Sequence, residues 1–346
     1  MNIDLKSYIL SDSEARTIFE EKILPAEFGS ITDRSHHRSA AAAQDGTDTT
    51  QPLAVFLIGQ TGAGKTRTAP ALKAAMTELR GGGGEGPPAH FVADTYKTYH
   101  PAYAELAAGD RSALASAAAG PDARRWLAMA AAHAASRRMD ALLESACRHP
   151  GDFADLARAF RAAGYRVEVC LMAVPRPLSL LGVLVRFHER LPEAGSRWGL
   201  PVRLTPRRVH DDSYAGVLDA AAFIDSSDAV DQVVVVRRGN LVAYADDRGV
   251  DGRWSRAGGV ADAVLAERRR PLTEIERSTA MADLRRLKDM DIVDISAQLE
   301  EIEGLLVSVP GDSSDGTEFP PLELWQLPSK DARYKLNKKP SLSLGT

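Results

Sequence analysis

The chain has 346 residues, enough for one large α/β domain or two smaller ones. Apolar residues make up 44%, ordinary for a globular protein, and a net charge of −4 gives no sign of a nucleic-acid or membrane-surface partner. Two cysteines, Cys147 and Cys170, exclude a disulfide framework, and no Cys/His cluster has zinc spacing.

Ser11-Asp12-Ser13-Glu14 reads as a capping box. The helix it opens carries Ala15, Ile18, Phe19 and Ile23 on one side and is expected to stop near Pro25. Residues 30–51 lack periodicity and read as a linker, so 1–50 form an N-terminal helix plus linker. The start lacks a basic-then-apolar signal segment, and no apolar stretch is long enough to span a bilayer, so a cytoplasmic location is expected.

Leu53 to Ile58 is an unbroken apolar run, the pattern of a strand buried on both faces. Gly59-Gln60-Thr61-Gly62-Ala63-Gly64-Lys65-Thr66 follows and fits G-x-x-x-x-G-K-[ST]. A helix from Thr68 to Leu79 comes next, with Ala71, Leu72, Ala75, Met76 and Leu79 on one face. Strand, glycine loop and helix are the context a phosphate-binding loop needs. Glycines let successive N–H groups point at one anion, and the helix N-terminus adds partial positive charge. Lys65 can reach the outer phosphates, and the Thr66 hydroxyl can ligate Mg²⁺.

Past a glycine-rich loop at 81–88, Phe91-Val92-Ala93 reads as a strand ending at Asp94. Residues 112–119 and 123–138 read as two alanine-rich helices. Asp140 to Leu143 is strand-like and runs into Glu144. Phe153 to Ala163 is an amphipathic helix closed by Gly164, and Arg166 to Val174 a strand. Val183–Leu191 and 207–225 read as helices around a proline-broken loop. Val233 to Val236 is a fourth apolar strand, and Leu241 to Tyr244 is an antiparallel edge candidate across Gly239-Asn240. The fold class is therefore α/β: a P-loop NTPase or kinase fold, a mostly parallel sheet with helices on both faces, and a C-terminal helical extension. The core spans 51–250, with a lid near 186–206. Residues 251–346 hold helices over 271–306, interrupted near Asp289–Asp291, and a tail expected to be disordered at its end.

In parallel sheets ligands sit at the C-terminal strand edge. The glycine loop, Asp94, Glu144 and the turn after Val174 all fall there. The chain lacks an Asn-Lys-x-Asp guanine motif and a long apolar strand ending in Asp-Glu, which leaves a small-molecule or nucleotide kinase. A kinase needs a carboxylate to accept the acceptor hydroxyl's proton, a role Asp94 can fill. Cations must offset charge on the transferred group, and Arg186 and Arg203 flank the lid loop. Most strand-end aspartates are turn or cap residues, and His100 is of a type more often structural than basic. The arginine run 268–270 reads as a solvated face.

The glycine loop is followed by Asp94-Thr95-Tyr96-Lys97-Thr98-Tyr99-His100-Pro101. Together they resemble the zeta toxin family, P-loop kinases of bacterial toxin–antitoxin modules, over about Glu14 to Arg238. Leu181 to Phe187 and Arg203 to Asp211 resemble the segments bearing that family's two lid arginines. The resemblance implies phosphorylation of the 3′-hydroxyl of the amino sugar of UDP-N-acetylglucosamine, with ATP and Mg²⁺ as cofactors. It implies Asp94 as base, Lys65, Arg186 and Arg203 on the phosphates, and Glu144, Asp94 and His100 at the sugar-nucleotide substrate. It also implies a small helical antitoxin partner. Ser145-Ala146 stands where the family has Gly-Thr, and residues past 306 have no counterpart. Another acceptor (a different sugar nucleotide, a nucleoside or NAD) is the alternative, and a non-catalytic nucleotide switch a third reading.

Overall fold

The computed structural model describes residues 4–29, 51–79, 87–108, 112–190, 204–249, 251–256, 258–290, 292, 295–308, 322–323 and 343–344. The expected linker, the glycine-rich loop after Arg80, most of the lid loop and most of the tail lie outside them.

The described strands of the main sheet run β1 (Leu53–Gly59), β2 (Ala89–Val92), β3 (Ala141–Ser145), β4 (Arg166–Met172), β5 (Gln232–Val236) and β6 (Val242–Asp247). Their order is β2-β3-β1-β4-β5-β6. All neighbours are parallel except β5 and β6, the hairpin expected across Gly239-Asn240. Going from β1 out to β2, back to β3 and then past β1 to β4, all parallel, demands crossover connections, and helices cover both faces.

The helices between and around the strands are α1 (Asp12–Ile18), α2 (Lys65–Leu79), α3 (Ala93–Tyr96), α4 (Tyr103–Ala108), α5 (Ser112–Ser136) and α6 (Pro150–Ala162). Then come α7 (Arg176–Arg190), α8 (Arg207–Ser226), α9 (Val260–Arg269), α10 (Glu274–Asp289) and α11 (Ser296–Ser308). The alternation of β1 divides the core. Ala54, Phe56 and Ile58 join one buried cluster with α1, α5, α6, α8 and α9. Leu53, Val55 and Leu57 join another with α2, α7, α10 and α11. Strand side chains alternate between faces, so one uninterrupted apolar strand feeds both halves of the core.

Several elements differ from the sequence reading, each for a local reason. The first helix does not stop at Pro25. It passes through a π-helical stretch at Phe19–Ile23 and stays helical to residue 29, a widened turn that accommodates proline's missing N–H. The two alanine-rich helices are one, α5, running through Pro121. Strand β2 ends at Val92, and Asp94 lies in the first turn of α3. Helix α7 begins at Arg176 rather than Val183. Helix α9 escaped the reading altogether. It carries Arg268 and Arg269 of the arginine run, of which only part is solvated: Arg269 is exposed, but Arg268 is buried, and Arg270, just past the helix, pairs with Glu267 and Glu276.

The N-terminal helix is pinned to α5. The Trp126 indole N–H donates to the Ala15 carbonyl at 2.8 Å, and the Leu10 N–H donates to Asp122 at 3.1 Å. Helices α10 and α11 lie on α7, where Leu284, Leu287, Leu299, Ile302 and Leu306 meet Leu178, Leu181 and Leu184. In the tail, Leu322–Glu323 and Ser343–Leu344 pair as short antiparallel strands β7 and β8.

Candidate active site

Strand β1 delivers the chain to the loop at residues 59–66. Gly62 and Gly64 have φ of +81° and +114°, a left-handed region that L residues avoid. At Gly62 the demand is doubled, because a Cβ there would lie 2.0 Å from the Ser179 carbonyl oxygen of α7. The Arg67 N–H bonds the Gly64 carbonyl at 2.9 Å, starting α2, while the Ala63 N–H closes back on Gln60 at 3.1 Å. This is an anion nest opening a helix of 15 residues.

The loop is braced from several elements. Arg238, after β5, donates to the Gly62 carbonyl at 2.8 Å and to the Leu178 carbonyl at 2.6 Å. Burial, then the nearby Arg67 charge, pushes its guanidinium down to about 10. Thr68 donates to Asn240 at 2.7 Å, and the Thr61 N–H donates to the Ser213 hydroxyl of α8 at 3.2 Å. The buried Gln60 side chain donates to the Val174 carbonyl at 2.7 Å. The family of braces needs the three-dimensional fold; of these partners only the turn after Val174 and the Gly239-Asn240 turn left a trace in the sequence.

Lys65 curls its ammonium onto the Gly59 carbonyl and stands 3.4 Å from that of Gln60. Burial pushes its pKa from 10.5 down to about 8. Glu144 opposes that shift, Arg186 adds to it, and Cys147 and Asp94 oppose it. One ammonium thus lies in the field of Glu144, Asp94 and Arg186, residues singled out independently from sequence. The register explains the convergence. Glu144 sits beside Leu57 of β1 and Val92 of β2, two residues before Asp94.

Glu144 accepts a hydrogen bond from, or shares one with, His90 Nε2 at 3.0 Å. Nothing in the sequence marked His90; its nearness to Glu144 depends on β2 pairing with β3. The exposed Asp94 carboxylate pairs with Lys97, whose ammonium also donates to the Ser116 hydroxyl at 2.6 Å. Arg186 donates to the Thr205 hydroxyl at 3.0 Å across the lid, and Arg203 lies outside the described residues.

His100 is placed elsewhere. It is 4% exposed, its Nε2 meets the Tyr8 carbonyl at 3.0 Å, and its Nδ1 accepts from the Ala102 N–H at 3.2 Å. With both ring nitrogens engaged inside the protein, it ties the N-terminal segment to α4 rather than facing a substrate. Ser145 likewise turns inward, its hydroxyl accepting from the Cys147 N–H at 3.0 Å.

A triphosphate fits what is present: a glycine turn of positive φ opening a helix N-terminus, a lysine at its rim and Arg186 on the lid side. Thr66, exposed in the first turn of α2, offers the one hydroxyl such a site contributes to a metal. Among the described residues no cluster of three or more His, Cys, Asp or Glu side chains is arranged to hold a metal ion. No helix among them is long and apolar enough to cross a membrane.

A model of the zeta toxin family matches residues 38–248, more than half of the chain. A search of curated sequences gives no significant match. A solved structure of the PezAT chromosomal toxin–antitoxin system of Streptococcus pneumoniae superposes with a TM-score of 0.57 at 16% identity, covering 83% of this chain and 98% of that one. The AvrRxo1-ORF1:-ORF2 structure with ATP aligns at a TM-score of 0.46 and 18% identity, covering 87% of each chain. Sheet order, glycine loop and matched segment lead to one assignment: the chain belongs to the zeta toxin family, with the fold of a P-loop kinase.

Proposed function

We propose that the chain is an ATP-dependent kinase of UDP-N-acetylglucosamine, phosphorylating the 3′-hydroxyl of its amino sugar and so withdrawing a precursor of peptidoglycan. The observation carrying this reading is the glycine loop opening α2, with Lys65 folded onto it and the pairing of β3 with β1 and β2 bringing Glu144 and the start of α3, which bears Asp94, to the same sheet edge. In the reaction the acceptor oxygen attacks the γ-phosphorus, its proton passes to the Asp94 carboxylate, the bond to the β-phosphate oxygen breaks, and ADP leaves. Lys65, Arg186 and Arg203 hold the phosphates, and Glu144 takes a hydrogen bond from the acceptor sugar. Thr66 would hold Mg²⁺, which when bound offsets negative charge on the phosphate oxygens.

Incubation of the purified protein with ATP and UDP-N-acetylglucosamine, read by mass spectrometry, tests this. The expected product carries one added phosphate alongside ADP. ATP consumption with some other metabolite gaining the phosphate would replace the acceptor and keep the kinase. That second reading has its own support: the Ser145 hydroxyl, near the place of the family's Gly-Thr, is turned onto the Cys147 N–H. Both substrates belong to the cytoplasm, where the protein would act. The pneumococcal relative is described as a toxin–antitoxin system, and by that likeness an antitoxin protein is the proposed partner here.

A further inference from the structure

Helix α9 lies beyond residue 248, where the family match ends. Yet two consecutive side chains of its last turn reach the C-terminal edge of the sheet. Glu267 accepts from Arg237 at 2.7 and 2.9 Å, holding the turn that follows β5. Arg268 reaches the glycine loop: its Nη2 donates to Gln60 Oε1 at 3.3 Å, and its Nη1 donates to the Tyr214 carbonyl at 2.7 Å.

Arg268 is an unusual cation. It is 8% exposed, its guanidinium lies 3.7 Å over the Tyr214 ring, and no carboxylate stands within ion-pair distance of it among the described residues. Its Nε is buried without a hydrogen-bond partner there. A buried charge compensated only by a ring face and two neutral oxygens is costly for the fold, so its retention calls for a use beyond packing. The geometry supplies one. Gln60 is held at both ends, its amide N–H on Val174 and its carbonyl oxygen on Arg268, so the second residue of the glycine loop has one orientation. Tyr214, under the guanidinium, adjoins Ser213, which receives the Thr61 N–H at 3.2 Å. Arg268 therefore bears on residues 60 and 61 by two routes, one direct and one through α8.

We propose that Arg268 is a positioning residue for the nucleotide loop, which makes α9 part of the kinase's working unit although it lies beyond the segment that the family model matches. This rests on the reading of the loop as an ATP site. A fixed Gln60 keeps the following amides converged on the phosphates before they arrive, and a preorganised nest binds without a cost in ordering.

The test is ATP binding by calorimetry on the full chain, with steady-state kinetics, for Arg268→Lys, Arg268→Met, Gln60→Ala and the pairs. Lysine keeps the charge over Tyr214 and lacks the fork that reaches two oxygens, so it decides the matter if the Met variant fails to fold. The expected result for Arg268→Lys is a rise of about tenfold in the Kd and KM for ATP, with kcat and the acceptor KM little changed. In the cycle with Gln60→Ala, the double variant should lose no more than the worse single variant. Wild type that binds ATP while Arg268→Lys binds equally well overturns the inference alone, as do fully additive losses. Wild type that binds no ATP overturns the inference together with the reading it rests on.

Discussion

Lys65 hydrogen-bonds the carbonyl of Gly59, the residue that opens its own loop, so the loop's cation is satisfied by the loop's backbone. A triphosphate would draw that ammonium outward. Burial holds the pKa of Lys65 near 8 against 10.5 for a free lysine. Between those values the unfolded chain keeps a proton that the folded chain has released, so stability of the ligand-free protein should rise with pH across that window. A bound polyanion favours the charged form, so ATP binding at about pH 8.5 should take up a proton. Calorimetry in two buffers of different ionisation enthalpy measures that uptake. It should vanish in Lys65→Met, and a wild type with no buffer dependence would refute the assignment.

Asp94 faces solvent in the first turn of α3, just past β2, and pairs with Lys97. In the proposed reaction its carboxylate takes the acceptor's proton and does not hold the donor. Asp94→Asn should lower kcat by about 10²–10⁴ while leaving ATP affinity intact. Loss of ATP binding with the substitution would move Asp94 from chemistry to metal or phosphate binding. A cellular effect that survives it would favour a nucleotide switch.

The local signals carried the fold far. Leu53 to Ile58, Gly62, Gly64 and Lys65 mark β1, the loop and α2 from adjacent residues alone, and apolar runs place β4 and β5. Contacts set by register did not show. Glu144 meets His90 because β2 and β3 pair with Val92 opposite Glu144, a relation no spacing reveals. The arginine run misled because charge patterning suggests solvent: Arg270 finds carboxylates close by in sequence, Glu267 and Glu276, but Arg268 is buried against Tyr214 and Gln60, which lie far away in the chain. His100 looked chemical by virtue of its motif, yet its ring serves Tyr8 and Ala102.

The His90–Glu144 contact yields a further expectation. Glu144 is the proposed acceptor contact, and His90 fixes one of its oxygens at 3.0 Å. His90→Ala should free that carboxylate and raise the acceptor KM several-fold, roughly what one hydrogen bond to a charged group is worth. His90→Gln, which can still donate, should recover much of the loss. Equal kinetics in wild type and His90→Ala would remove His90 from the acceptor site.

Gly62 separates loop geometry from overall fold. Alanine there must adopt a φ of +81° and place its Cβ 2.0 Å from the Ser179 oxygen, so loop and α7 must move apart. The left-handed backbone alone costs about 1–2 kcal/mol, and the steric clash adds to it. Wild type should show a rise in melting temperature on adding ATP. Gly62→Ala should melt lower and lose that rise. A normal ATP-induced shift in this variant would mean that the nucleotide does not bind in the nest.

Leu284 tests the other side of the sheet. It is 1% exposed on α10, in the cluster with Leu178, Leu181 and Leu184 of α7. Helix α7 places Ser179 against the glycine loop and carries Arg186, so the C-terminal helices back an element of the candidate site. Leu284→Ala leaves a cavity in a dry core and should cost about 2–5 kcal/mol, read as a lower denaturation midpoint at unchanged slope. Well below the transition, kcat should stay near wild type, because the helix is weakened and not displaced. A variant as stable as wild type would show that α10 does not support α7, whereas lost activity without lost stability would make α10 part of the lid's motion.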